Sequence, residues 1–152
     1  MSNNQNTHPE YKKKPLYAKR LEMELKQYHP TFINDTTCEF MYNSKKITLY
    51  VDKNFPFSPP IDVYINGHST SNIPSGLLHY YILATKECPC CVSMISCNKW
   101  KPACKIEDLL NERISVRNTI IELHPMSQYS KYILNRPNIP DSIENKILSC
   151  II

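Results

Sequence analysis

Apolar residues recur along this chain with two periods, and the change from one to the other divides it into elements. Tyr17, Leu21, Leu25 and Tyr28 stand three or four residues apart, while Arg20, Glu22, Glu24 and Lys26 occupy the positions between them. A helix collects the first set on one face and leaves the second in water, so the spacing predicts an amphipathic helix from Tyr17 to His29, stopped by Pro30. Glu22 and Lys26 are placed for an i,i+4 ion pair on it. The period then falls to two. Cys38 to Tyr42 and Ile47 to Val51 flank the turn-like Asn43-Ser44-Lys45, and Ile47, Leu49 and Val51 alternate with other residues, which predicts a hairpin. Phe55-Pro56-Phe57-Ser58-Pro59-Pro60 interrupts with prolines, which donate no ladder hydrogen bond and fix an extended corner. Ile61, Val63 and Ile65 resume the alternation until Asn66-Gly67 turns the chain.

From His68 to Thr85 neither period is sustained, and no element is predicted over Leu77 to Leu83. Helical spacing returns with Ile106, Leu109, Leu110, Ile114, Ile120, Ile121 and Leu123, a long helix ending before Pro125. Asp141 with Glu144 three residues on reads as a capping box that opens a short helix carrying Ile143, Ile147 and Ile151 on one face. Helix, antiparallel strands, a proline corner and further helices make an α+β domain with helices on one face of a small sheet.

Length and charge narrow the function. The 152 residues suit one domain, with a disordered basic leader over 1–15, a core over 16–124 and a helical extension over 125–152. No apolar run reaches the ~18 residues of a membrane span, and the polar start lacks the apolar stretch of a signal peptide. An intracellular protein, cytoplasmic or nuclear, is expected, with no membrane partner. Residues 1–30 hold six Lys/Arg against three acids within a net charge of +4. That is a solvated face; no aromatic residues interleave the basic cluster to stack bases, so no nucleic-acid partner is expected.

The chemistry concentrates between Cys88 and Leu110, which contains five of the seven cysteines and the single tryptophan. An odd number of cysteines in a reducing compartment argues against a closed disulfide framework. Cys88 and Cys91 form a C-x-x-C pair, but Cys97 and Cys104 lie too far apart to complete a zinc site, so no metal is expected. A nucleophile needs access and a depressed or base-assisted pKa. Cys88, Cys90 and Cys91 share one irregular loop near Lys86 and Lys99, and residue chemistry does not choose among them.

Phe55-Pro56-Phe57-Ser58-Pro59-Pro60-Ile61 resembles the proline corner of ubiquitin-conjugating enzymes. Cys91-Val92-Ser93-Met94-Ile95 followed by Trp100-Lys101-Pro102-Ala103 resembles their active-site cysteine run. The resemblance covers roughly residues 16–124. It implies a conjugating fold with an N-terminal helix, a small antiparallel sheet and C-terminal helices, and it selects Cys91 as the thioester nucleophile that carries ubiquitin or a ubiquitin-like protein to a lysine. It implies Phe57, Pro102 and Ala103 as a surface for a ubiquitin ligase, Lys19 and Arg20 as a face for the activating enzyme and ligases, and Trp100 as packing under the active-site loop. No cofactor is implied, because the energy arrives with the activated modifier. The family's His-Pro-Asn motif is absent; His79-Tyr80-Tyr81 is the nearest candidate, which makes Tyr81 or His79 the expected oxyanion or loop-positioning group. Losing an oxyanion donor costs ~10²–10³ in rate. The departures leave open a catalytically inactive conjugating-like protein or an RWD-type interaction module, which shares the corner but needs no cysteine.

Overall fold

The computed structural model of the protein describes residues 14–95, 99–125 and 139–149. Nearly all of the expected leader over 1–15, and the candidate residues Cys97 and Ile151, lie outside the described residues. Helix α1 (Leu16–Leu25) buries Tyr17, Leu21 and Leu25, the stripe read from the sequence. It is shorter than the expected run to His29: the chain tightens into a 3₁₀ turn over Lys26–Tyr28, and His29 leaves it with φ at 48° just before Pro30. Glu22 pairs with Lys14, not with Lys26, and Glu24 pairs with Arg20.

Five strands then pair in chain order as an antiparallel meander: β1 (Thr31–Asn34), β2 (Thr37–Tyr42), β3 (Lys45–Tyr50), β4 (Asp62–Ile65) and β5 (His68–Ser69). The β2–β3 hairpin turns at Asn43 and Ser44, both with positive φ (47° and 60°), the backbone hand that matches strand twist. Asn66-Gly67 repeats the device between β4 and β5, at 52° and 83°. Cys38 faces Leu49, Phe40 faces Ile47, and these continue to Val63 and Ile65 on β4. All six side chains are buried on one face.

Helix α4 (Ile106–Leu123) shares that face with α1. Its Ile106, Leu109 and Leu110 join Leu21, Leu25, Phe55 and Trp100 in the main core, each fully buried aliphatic side chain contributing roughly 1.5–3 kcal/mol. The Glu24 carboxylate on α1 accepts the Ile106 N–H at 2.7 Å, so one helix satisfies an orphan donor at the start of the other. The remaining turns of α4 hold two smaller clusters. Val116 and Ile120 pack against Leu77 and Tyr81 of α2 (Ser75–Thr85), a helix the sequence did not announce. A one-turn helix, α3 (Pro89–Val92), follows it. Ile121 packs against Ile147, Ile143 and Ile139 of α5 (Asp141–Ser149) and the residues leading into it.

Glu144, read from the sequence as the second half of a capping box, points elsewhere. Glu144 gives its carboxylate to Arg117, Nη2 to Oε1 at 2.9 Å, while the Pro140 carbonyl accepts the N–H groups of Ile143 and Glu144 at 2.9 and 3.0 Å. The architecture is α+β with a small antiparallel sheet. Among the described residues no helix is long and apolar enough to cross a membrane.

Candidate functional site

The proline corner and the tryptophan loop meet. Trp100 is buried, its ring 5.9 Å from that of Phe55, and its Nε1–H donates to the Pro56 carbonyl at 2.7 Å. Pro56 has no N–H of its own, and its carbonyl, buried at the corner, would otherwise lack a donor. One indole therefore joins stretches 44 residues apart. Beyond it the Phe57 and Ser58 N–H groups both bond the Asn54 carbonyl, at 2.7 and 3.2 Å, and this tight turn throws Phe57 outward. Phe57 is 71% exposed, and Lys101, Pro102 and Ala103 are exposed after Trp100.

The cysteines occupy the loop between α2 and the tryptophan. Lys86 ends α2 with φ at 61°, and Pro89, at the first position of α3, has the φ that a helix start needs. The Cys88 carbonyl accepts the Cys91 and Val92 N–H groups at 2.9 and 3.1 Å. That single turn leaves Cys90 and Cys91 exposed and Cys88 half-buried. Immediately after it Ser93 is fully buried. Arg113 of α4, itself buried, donates to Ser93 Oγ, and Glu112 accepts the Met94 N–H through both carboxylate oxygens, at 3.2 and 3.0 Å. Arg113 and Glu112 also pair with each other. Two adjacent residues of a long helix thus fix the backbone that leaves the cysteine turn.

The three thiols are unequal. The Cys90 S–H and the backbone N–H groups of Cys91 and Cys90 point at the Cys88 sulfur and hold its pKa down, to about 7. Cys90, as the donor in that arrangement, is pushed up to about 11. Burial alone pushes Cys38, in the sheet, up to about 12. Lys86 and Lys99, expected from the sequence to favour a thiolate, are not the cause; Lys99 reaches the Val92 carbonyl at 3.4 Å instead. A depressed thiol is a thiolate above its pKa and loses that form below it. Alkylation by iodoacetamide at Cys88 should therefore be half-maximal near pH 7, with Cys38 unreactive, and Cys90→Ala should return the midpoint toward that of an ordinary thiol. Mass spectrometry of timed samples reads both; a Cys88 midpoint unchanged by Cys90→Ala would remove the Cys90 hydrogen bond as the cause.

The same sulfurs could serve as ligands. Cys88, Cys90 and Cys91 have Sγ atoms within 4.8 Å of one another, and the Cys90–Cys91 pair is 3.8 Å apart. The edge of a zinc tetrahedron with Zn–S near 2.3 Å is about 3.8 Å. Cys90, which the C-x-x-C spacing ignores, makes the set three.

The other expected site residues separate. Tyr81 is on α2 but faces α4 in an apolar cluster, and burial, with Glu87 second, raises its phenol pKa. His79 is on the exposed side of α2 beside Tyr80, ring centroids 6.4 Å apart. The sequence reading pairs these residues as alternatives for one role; the helix turns them to different surroundings. Arg20 is half-buried and bonded to Glu24 and, at 3.3 Å, to the Cys104 carbonyl, while Lys19 is exposed. Arg20 and Ala103 line one groove between α1 and the start of α4. Sequence reasoning missed Ser93, Glu112 and Arg113. Their only signal is a charged pair inside an apolar helical pattern, and nothing in the spacing says which loop it would hold. No family model, curated protein or solved structure matches the chain.

Proposed function

We propose that the protein carries ubiquitin, or a ubiquitin-like protein, as a thioester on Cys91. In this reaction the Cys91 thiolate attacks the carbonyl of the modifier's thioester on the activating enzyme and expels that enzyme's cysteine thiolate. A lysine amine then attacks the new thioester, forms an isopeptide bond and releases the Cys91 thiolate. The observation that carries the reading is the Trp100 to Pro56 hydrogen bond. It joins the two stretches on which the resemblance to conjugating enzymes rests, the corner and the Trp-x-Pro-Ala run, and the exposed cysteine turn lies between them in the chain, shortly before the tryptophan. The buried Ser93–Arg113 contact supports it by fixing the backbone that follows the nucleophile.

The test is an incubation with ubiquitin, activating enzyme and ATP, resolved on gels with and without reductant. A single reductant-sensitive adduct is expected. Its absence in a protein shown to be folded would leave a conjugating-like or RWD-type interaction module. A second reading, a zinc site, is favoured by the three converging thiols; one equivalent of zinc in the purified protein, lost in Cys90→Ala, would support it over the carrier.

Within the carrier reading, exposed Phe57 with Pro102 and Ala103 makes the ligase surface. Phe57→Ala should leave loading unchanged and slow ligase-stimulated discharge at least fivefold, because an exposed aromatic anchor contributes to binding and little to folding. Equal loss of loading and discharge would count against that assignment.

A further inference from the structure

Among the described residues, four buried side-chain polar atoms have no hydrogen-bond partner: His68 Nδ1, Thr70 Oγ1, and both Nε and Nη1 of Arg117. All belong to residues lining one cavity of about 30 Å³ between the β4–β5 end of the sheet and α4. Thr70 is 8% exposed and Arg117 7%. Orphaned buried polar atoms are rare in folded proteins, and four of them on residues lining one space point to a missing partner instead of scattered misfits.

The chemistry of that partner is constrained. A guanidinium only donates, so what faces Arg117 must accept. Among the described residues no carboxylate lines the cavity, whereas a second buried guanidinium, Arg113, does. The acids that balance these arginines, Glu144 and Glu112, approach from outside it. A single water accepts about two hydrogen bonds, fewer than the two free Arg117 donors and the Thr70 hydroxyl offer together, whereas a halide accepts from all three. The volume exceeds the roughly 10–15 Å³ that one water requires and falls short of what an organic phosphate would fill.

We propose that this cavity binds a monatomic anion of the size and charge of chloride, held by Arg117 with the Thr70 hydroxyl as a second donor. The inference is independent of the thioester reading. Thr70, Ile73 and Arg113 also line the adjoining groove that reaches Pro89 and Cys90, so the ion lies behind the cysteine loop, next to the arginine that holds Ser93.

The test follows the thermal midpoint of the full-length protein as sodium chloride replaces sodium gluconate at constant ionic strength, gluconate being too bulky to enter. A saturable rise is expected, because an ion that binds only the folded state stabilises it by mass action. Thr70→Val, which keeps the shape and removes the hydroxyl, should raise the half-saturating chloride roughly tenfold; Arg117→Met should abolish the response. Should Arg117→Met fail to fold, crystals grown in bromide decide, through an anomalous peak in the cavity within bonding distance of Arg117. A flat or non-saturating response, a response unchanged in Thr70→Val, or water alone in the bromide crystals would overturn the assignment.

Discussion

The Cys91→Ala protein is expected to fold as the wild type does and to form no reductant-sensitive adduct with activated ubiquitin. Cys91 is exposed, and a surface substitution of this kind changes stability by no more than about 0.5 kcal/mol, so the loss is one of chemistry. The natural competitor is Cys88, whose thiol is held down to about 7 and is therefore largely ionised near neutral pH, where Cys90, pushed up to about 11, is not. Ionisation is one requirement of a nucleophile; access is the other, and Cys88 is half-buried where Cys91 is exposed. Cys88→Ala should accordingly keep loading within about threefold of wild type, a difference near 0.7 kcal/mol in barrier. Gels of both variants, beside Cys90→Ala, decide the matter. Loading that survives Cys91→Ala and vanishes in Cys88→Ala would transfer the nucleophile to Cys88 and break the register with the Trp100 run.

Trp100→Ala should destabilise the protein by about 3–5 kcal/mol, the range for deleting a large aromatic from a core. Domains of this size are stable by about 5–15 kcal/mol in all. The indole touches Phe55, lies in the main core and occupies the Pro56 carbonyl, so the substitution opens a cavity and orphans an acceptor together. Trp100→Phe separates the two effects: it keeps most of the ring and removes only the N–H, at a cost of about 1–3 kcal/mol if the buried carbonyl stays unpaired. Urea unfolding of both variants gives the comparison. A neutral Trp100→Phe would mean that the hydrogen bond is replaceable, and that packing alone holds the corner to the loop.

What could be read from the sequence follows from which elements have one wet and one dry side. The β2–β3 hairpin and α4 were legible because Cys38, Phe40, Ile47 and Leu49 point one way and because α4 repeats its apolar positions over 18 residues. β1 was not, since all four of its residues are exposed and no alternation marks them. α2 was hidden for the opposite reason. Leu77, Leu78, Tyr80, Tyr81, Ile82 and Leu83 surround it with apolar side chains, only Leu77 and Tyr81 of which are buried, so no stripe stands out. At the cysteine loop the sequence showed a concentration of thiols but not their ranking, which depends on hydrogen bonds among Cys88, Cys90 and Cys91. Nor could it show that Arg113 reaches back 20 residues to Ser93, a contact that exists only once α4 lies across the sheet.

The attachment of α5 has a thermodynamic consequence. Among the described residues it is anchored to α4 by one small apolar cluster and the Arg117–Glu144 pair, less than anchors α4 itself, so it opens at a lower free energy than α4. Opening withdraws the carboxylate from Arg117 and leaves that guanidinium with a larger unmet charge beside the cavity. Whatever captures the apolar side of the tail helix therefore tightens the hold on an anion there, and the anion by necessity favours the released tail to the same degree.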